Sequence, residues 1–226
     1  MLRKEAYHAL EGRLHIDMSG SFIVREGGIE GLLELARLAG LSAQDLSRLS
    51  PGSAISAMQM RQAMEEAGSL GDFFLRGYRP EEPDVGPALS RFVERLMSLD
   101  RGRFYPGGLP GAGQGVRYFL PSPRDGSACK RLNLFLRWMV RRDAVDLGVW
   151  SGLSPSKLVV PLDTHVIRVG RCLGLTRYRS PGWGMASEIT ESLRRLDPED
   201  PVRFDFSICH LGMMDACGFN RPQRDD

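Results

Sequence analysis

The apolar residues of this chain recur mostly at helical spacing, and this periodicity limits the choice of fold more than any other feature of the sequence. Positions three and four residues apart predict helices near residues 29–38, 55–67, 88–97, 128–140, 166–173, 185–196 and 202–214. Strand-like alternation is rare, apart from a hairpin predicted near His15 to Val24. Asp84 to Pro87 and Asp200 to Pro201 are typical helix starts, because proline needs no hydrogen bond at the first helical position. The sequence therefore predicts an all-α protein.

The helical pattern stops between Gly102 and Gly126, in the segment GRFYPGGLPGAGQGVRYFLPSPRDG. This glycine and proline content predicts a long loop or a series of tight turns, and loops of that length often carry function. At 226 residues the chain is long enough to bury a sizeable core. Its start lacks the apolar stretch of a signal peptide, and no apolar run of about 18 residues is present to span a bilayer. We expect a cytoplasmic, nucleoid-associated protein with no membrane partner.

The formal charge of +2 hides an uneven distribution of charged residues. Between Arg117 and Arg179, twelve Lys and Arg residues stand against four Asp and Glu residues, so this stretch carries +8 and the rest of the chain −6. Clustered cations of this kind are typical of a polyanion-binding face, although solvated helix faces give the same pattern. The four cysteines are scattered and show no CxxC spacing, so we expect reduced thiols.

Two segments carry residue types suited to chemistry. In PLDTHVIRVGRCLGL an apolar approach ends at Asp163, where a helix is predicted to begin. Capping of that helix would by itself explain Asp163, and the same cap would hold a carboxylate in a cleft. In PSPRDGSACKRLNLFLRWMVRR a tight turn precedes a helix with Lys130 near its start, where backbone N–H groups can grip a phosphate while the amine reaches a sugar. From these residues alone, a surface cation is the simpler interpretation of Lys130.

Both segments resemble those of known families. PLDTHVIRVGRCLGL is similar to the segment that carries the catalytic aspartate in the endonuclease III branch of the helix-hairpin-helix DNA glycosylase superfamily. Together with SLGDFFLRGY and DPEDPVRFDFSICHLG, the two segments resemble a bacterial group known as domain of unknown function 2400, over about Ser69 to Gly218. The interval from Lys130 to Asp163 is similar to that of the archaeal 8-oxoguanine DNA glycosylases and longer than in endonuclease III relatives.

The resemblance implies a two-lobed helix-hairpin-helix glycosylase fold with DNA in a cleft between helical lobes. The first predicted lobe is 28–143, with the hairpin and Lys130, and the second combines 1–27 with 144–226 and carries Asp163. The functional hairpin is predicted at Pro121 to Ser127, whereas LPGAGQG is predicted to be loop, because Gly115 would stand where that register needs the lysine. Only two cysteines lie near the chain end, so no iron–sulfur cluster, other cofactor or metal is expected.

The activity that the resemblance implies is that of a bifunctional DNA glycosylase and AP lyase in base excision repair, acting on 8-oxoguanine in damaged double-stranded DNA. Lys130 is then the nucleophile that forms a Schiff base at C1′ and permits β-elimination, and ionised Asp163 stabilises the positive charge that builds on the sugar. The residues predicted to contact the DNA backbone are Arg124, Gly126, Ser127, Arg131, His165 and Arg168, and those predicted to line the base pocket are Phe135, Arg137, Trp138 and Asp205.

Other interpretations of the sequence stay open. Core packing is the commoner role for Phe135, Trp138 and Trp183, and helix capping or surface placement for Asp205. The whole chain could be a non-catalytic DNA-binding module, a monofunctional glycosylase that acts through water, or an all-helical protein-interaction domain with an incidental basic face. The combination of Lys130 and Asp163 favours the lyase, because phosphate binding needs neither a buried amine nor an acid in the cleft. A monomer is expected.

Overall fold

The computed structural model describes residues 14–16, 22–24, 51–99, 107–109, 111 and 116–214, with side chains from residue 59 onward. The predicted hairpin is confirmed, since β1 (Leu14–Ile16) and β2 (Phe22–Val24) pair antiparallel. The helix predicted at 29–38 lies outside the described residues.

Eight α-helices lie in the described part of the chain that follows residue 50. They are α1 (Pro51–Ala67), α2 (Leu70–Leu75), α3 (Gly86–Ser98), α4 (Val116–Phe119), α5 (Lys130–Val140), α6 (Thr164–Cys172), α7 (Trp183–Arg194) and α8 (Asp205–Met213). Short 3₁₀ turns at Pro123–Asp125, Pro155–Lys157 and Pro201–Phe204 lead towards α5, α6 and α8. The predicted helical class is confirmed for these residues, because apart from the hairpin all regular elements are helices.

Two helix starts differ from the prediction for local backbone reasons. The helix expected near 128–140 begins only at Lys130, because Cys129 has a φ of +48° and that left-handed conformation cannot continue a right-handed helix. The helix expected near 202–214 begins at Asp205, after a 3₁₀ turn opened by Pro201. Asp84 behaves as predicted, since its Oδ1 accepts a hydrogen bond of 2.7 Å from the N–H of Gly86 at the start of α3.

The long loop predicted between Gly102 and Gly126 was wrong in one part. Val116–Phe119 is the short helix α4, and it packs against α1. Val116 and Leu120 are each only 1% exposed, so burial of this apolar stretch stabilises a turn of helix that four residues alone do not form. Most of LPGAGQG lies outside the described residues.

The chain divides into two compact units. The first takes in the chain up to Phe73 together with Glu94–Leu120, and the second comprises Phe74–Val93 and the chain from Pro121. Fully buried side chains of the second unit include Phe74, Leu89, Leu136, Leu158, Met185 and Ile189. Lys130 and Asp163 both belong to this second unit, so the boundaries of the units differ from those of the predicted lobes.

Candidate active site

The turn before α5 fixes the position of Lys130. The Ser122 side chain accepts a hydrogen bond of 3.3 Å from the Arg124 N–H, and Gly126 closes the 3₁₀ turn with a φ of +75°, which suits glycine. Cys129 follows in its left-handed conformation, held by Sγ contacts of 3.4 Å to two carbonyl oxygens and by a bond from its N–H to Ser127 Oγ. A strained non-glycine residue of this kind is common beside functional groups, and here it makes Lys130 the first residue of the helix.

The start of α6 fixes Asp163, as the sequence predicts. The buried segment Leu158–Leu162 leads into it, and the Val160 N–H donates to Thr190 Oγ1 at 3.0 Å, which anchors the segment to α7. Asp163 is the N-cap of α6, since its Oδ1 accepts a hydrogen bond of 2.8 Å from the Val166 N–H. The cap leaves the second carboxylate oxygen available for other partners.

That second oxygen faces a thiol on α8. Cys209 Sγ lies 3.4 Å from Asp163 Oδ2. Burial, followed by the carboxylates of Asp163 and Asp205, raises the pKa of the Cys209 thiol to about 11, while the positive charge of Lys130 acts in the opposite direction. The thiol is therefore protonated at neutral pH and donates to Asp163. Asp163 at the start of α6 thus contacts this sulfur, and Lys130 at the start of α5 is close enough for its charge to act on it.

The amine of Lys130 differs from the other buried or half-buried cations of this region. It is half-buried, and no carboxylate of the described residues lies within the 4 Å that defines an ion pair. Seven residues further along α5, by contrast, Arg137 is 5% exposed and donates from Nε to Asp146 at 3.1 Å and from Nη1 to Asp205 at 2.5 Å. One face of α5 therefore carries both an amine without such a partner and a fully paired guanidinium.

A buried charge cluster surrounds the C-terminal half of α5. Arg141 donates to Asp146 and, at 2.9 Å, to Asp200, so that Asp200 binds this arginine instead of capping a helix. Burial raises the pKa of Asp205 to about 6, helped by the nearby Asp163 and Asp146 and opposed by Arg137. These ion pairs tie α5 to the start of α8, which is the helix that carries Cys209.

The residues predicted to bind the DNA backbone fall into two groups. Arg124 and Gly126 are exposed on the turn before α5, and Ser127 and Arg131 are half-buried beside it. His165 and Arg168 lie instead where α6 packs against α8. The Arg168 guanidinium donates to the Gly212 carbonyl, and a Cβ added to Gly212 would lie 2.7 Å from the His165 Cβ. This close approach of the two helices is what brings Cys209 to Asp163.

The aromatic residues predicted near the base pocket take part in packing. Phe135 is half-buried and meets Trp150 edge to face, with ring centroids 5.5 Å apart, and Trp150 in turn contacts Phe74. Trp183 lies against Gly86, where a Cβ would come within 2.6 Å of its ring. Trp138 is half-buried, and its carbonyl accepts the N–H groups of residues 147 and 148.

Sequence analysis missed Cys209. It lies 46 residues from Asp163 in the chain. The available signal was its place one turn after Asp205 on the same predicted helix, because residues four apart share a face. Nothing in the sequence indicates that the face of α8 with Asp205 and Cys209 meets Asp163, because this contact arises only from the packing of α8 on α6.

The chain belongs to the family described as Protein of unknown function (DUF2400), which it matches over residues 50–214. The matched range contains both Lys130 and Asp163, and it confirms the resemblance to domain of unknown function 2400. No curated protein and no solved structure matches the chain.

The described residues hold neither a cluster of metal ligands nor a membrane-spanning helix. Among the described residues, no three His, Cys, Asp or Glu side chains come together as a metal site. None of the described helices combines the length and apolar character needed to cross a bilayer.

Proposed function

We propose that this chain is a bifunctional DNA glycosylase and AP lyase of the helix-hairpin-helix glycosylase superfamily that removes 8-oxoguanine from damaged double-stranded DNA. The observation that carries the proposal is that the Asp163 carboxylate contacts the Cys209 thiol while the charge of Lys130, at another helix start, acts on the same thiol. A module that only binds the DNA backbone has no use for a carboxylate at such a point, because a carboxylate repels phosphates.

Lys130 supplies the nucleophile. Its amine follows the turn at Pro123–Asp125, and no described carboxylate pairs with it, so no ion pair has to break. Once the ammonium has lost its proton to solvent, the lone pair of the neutral amine can attack. As the bond from the amine to C1′ forms, the bond from C1′ to the base breaks, and the departing base takes up the proton that the new ammonium releases. Opening of the sugar ring gives a Schiff base, loss of a C2′ proton expels the 3′ phosphate, and water then frees the lysine.

Asp163 stabilises the positive charge that builds on the sugar while the base departs. One of its oxygens is fixed by the Val166 N–H, which orients the carboxylate, and the other accepts, within the described part of the chain, only from the Cys209 thiol. Because S–H is a weak donor, that oxygen keeps most of its negative charge for the transition state.

The turn before α5 supplies the backbone contact. Arg124 and Gly126 are exposed there, and the first N–H groups of α5 have no side-chain cap. Free N–H groups at a helix start attract a phosphate, so a DNA strand bound at this turn would lie beside Lys130.

Borohydride trapping tests the proposal, because reduction converts a Schiff base into a stable protein–DNA adduct. The chain has only three lysines, Lys4, Lys130 and Lys157, which makes the assignment of an adduct simple. Lys157→Gln is the matched control, since the Lys157 amine donates to the Glu82 carbonyl at 2.7 Å. Duplexes that contain 8-oxoguanine, an abasic site or undamaged guanine are compared.

We expect an adduct with the first two duplexes for the wild type and for Lys157→Gln, and none for Lys130→Gln. Asp163→Asn should excise the base about 10²- to 10⁴-fold more slowly, which is the usual contribution of one positioned carboxylate. Tight binding of all duplexes without any adduct would contradict the lyase and favour a non-catalytic binding module. Base release without strand scission would favour a monofunctional glycosylase.

A further inference from the structure

The loop between α6 and α7 carries a surface of exposed cations. Arg177 and Arg179 are exposed on this loop, and Arg171 is exposed in the last turn of α6. Tyr178, between the two loop arginines, is 52% exposed. No Asp or Glu occurs in the sequence from residue 164 to residue 187, and the first acidic residue after it is Glu188. We call these four residues the arginine surface.

Hydrogen bonds to one carboxylate hold the loop in place. Glu188 Oε2 accepts from the Thr176 hydroxyl at 2.7 Å and from the Arg177 N–H at 2.8 Å, and the Tyr178 N–H donates to Thr176 Oγ1. The hydroxyl of Thr176 and then the backbone N–H of Arg177 lower the pKa of Glu188, so this carboxylate stays ionised while it binds the loop backbone. The loop is therefore ordered before any partner binds, which reduces the entropy cost of binding.

The guanidinium groups of the loop are available to a partner. Among the described residues, no carboxylate lies within 4 Å of the guanidinium of Arg177 or Arg179, although Arg177 attracts the Glu188 carboxylate at longer range. Arg171 donates to the carbonyl of Arg179, a neutral acceptor. Two cations on an ordered loop and a third at the end of α6 suit a partner with repeated negative charge at regular spacing.

The arginine surface continues into the turn before α5. The start of α7 joins them, because the Trp183 N–H donates to the Gly126 carbonyl at 3.0 Å. A Cβ added to Gly184 would come within 2.7 Å of the Tyr178 ring, so the tyrosine lies directly on this helix start. Arg124 is exposed on the same turn. The cations of the loop and of the turn therefore lie on the two sides of one helix start.

We propose that the arginine surface is a second contact for the DNA phosphate backbone, beside the contact at the turn before α5. The inference rests on the proposed function, which supplies DNA as the partner. Arg171, Arg177 and Arg179 pair with phosphates, and the Tyr178 hydroxyl donates to a phosphate oxygen of the same strand. The base sequence of the DNA plays no part in such phosphate contacts, so they add affinity for any duplex.

The test is the salt dependence of binding by the double variant Arg177→Gln/Arg179→Gln. The probe is a duplex with a tetrahydrofuran abasic analogue, which the enzyme cannot cleave, and the dissociation constant is measured by fluorescence anisotropy over a series of KCl concentrations. Each lost phosphate contact lowers the slope of log K against log salt by about 0.9, so the slope should fall by about 1.8. Arg195→Gln/Arg203→Gln is the control, because it removes the same charge from two other exposed arginines.

A slope that falls equally in both double variants, or in neither, would overturn the proposal that the arginine surface binds DNA phosphates. Borohydride trapping at saturating protein separates this result from the proposed function. An adduct together with an unchanged slope leaves the lyase standing without the surface. A reduced slope without an adduct on any duplex leaves a DNA-binding surface without the lyase. A wild-type protein that binds no duplex at low salt contradicts both proposals.

Discussion

The two ends of α5 differ in whether their positively charged side chains are paired with carboxylates. At the C-terminal end, Arg137 and Arg141 are buried, and each is bound by aspartates. At the N-terminal end, Lys130 is half-buried, and no described carboxylate pairs with it. A buried cation without a partner is costly, so the paired end is built for stability. The open end keeps its amine free, and this is the property that a nucleophile needs.

The same contrast gives a structural role to two residues that were predicted to line the base pocket. Arg137 and Asp205 are buried and bound to each other at 2.5 Å. Their pairing explains both residues without a bound base, by tying α5 to α8. Contact with a base remains a prediction, and the variants below separate the structural role from the chemical one.

The largest effect on folding is expected at the paired end. Arg137→Met leaves Asp146 and Asp205 buried with less positive charge, which should lower the free energy of unfolding by about 3–5 kcal/mol. Lys130→Gln should change it by less than about 0.5 kcal/mol, since it removes no ion pair. Urea unfolding measures both, with exposed Arg142→Met as the surface control. Equal losses of unfolding free energy in Lys130→Gln and Arg137→Met would contradict the distinction between the two ends of α5.

A second effect concerns pH. The pKa of Asp205 is about 6 in the fold, above the ordinary value near 3.9, so the folded state binds the proton more tightly than the unfolded chain. The stability from this group is complete below about pH 4 and is lost as the pH rises through 6. The wild type should therefore lose about 2 kcal/mol relative to Asp205→Asn between pH 4 and pH 7.

Unfolding of both proteins across this pH range measures the difference. A difference that stays constant with pH would show that Asp205 titrates normally. Asp197→Asn serves as the control, because the Asp197 carboxylate accepts from backbone N–H groups and Arg203, and its pKa is lowered instead of raised.

The smallest effect is expected at Cys209. Serine is a stronger donor than a thiol, so Cys209→Ser should take up more of the negative charge of Asp163 and slow base excision. The rate at neutral pH should change by less than about tenfold, which corresponds to about 1.4 kcal/mol. Cys209→Ala removes the donor and should change the rate in the opposite direction.

The exposed Cys172 provides the control, since Cys172→Ser removes a thiol at the last residue of α6, away from Asp163 at its start. An excision rate that is identical in the wild type, Cys209→Ser and Cys209→Ala would show that the thiol does not act on Asp163.

Local signals in the sequence located most of the helices and one catalytic candidate. Asp163 was recognised as a cap because an aspartate before an apolar helix has few other roles. The start of α5 was placed two residues early, since nothing in the periodicity reveals that Cys129 adopts a positive φ. Helix α4 was missed, because four residues are too few to show a helical period and only their burial forms the helix.

What the sequence determined by itself was the helical class, the cap at Asp163 and the residue types Lys130 and Asp163, because these depend on neighbours a few positions apart. The tertiary structure decided which charges are paired and which are open. Arg137 and Asp205 lie 68 positions apart, and Cys209 and Asp163 lie 46 apart. Contacts over such intervals follow from how helices pack, here from the glycine at 212 that lets α8 approach α6, and packing leaves no periodic signal in the chain.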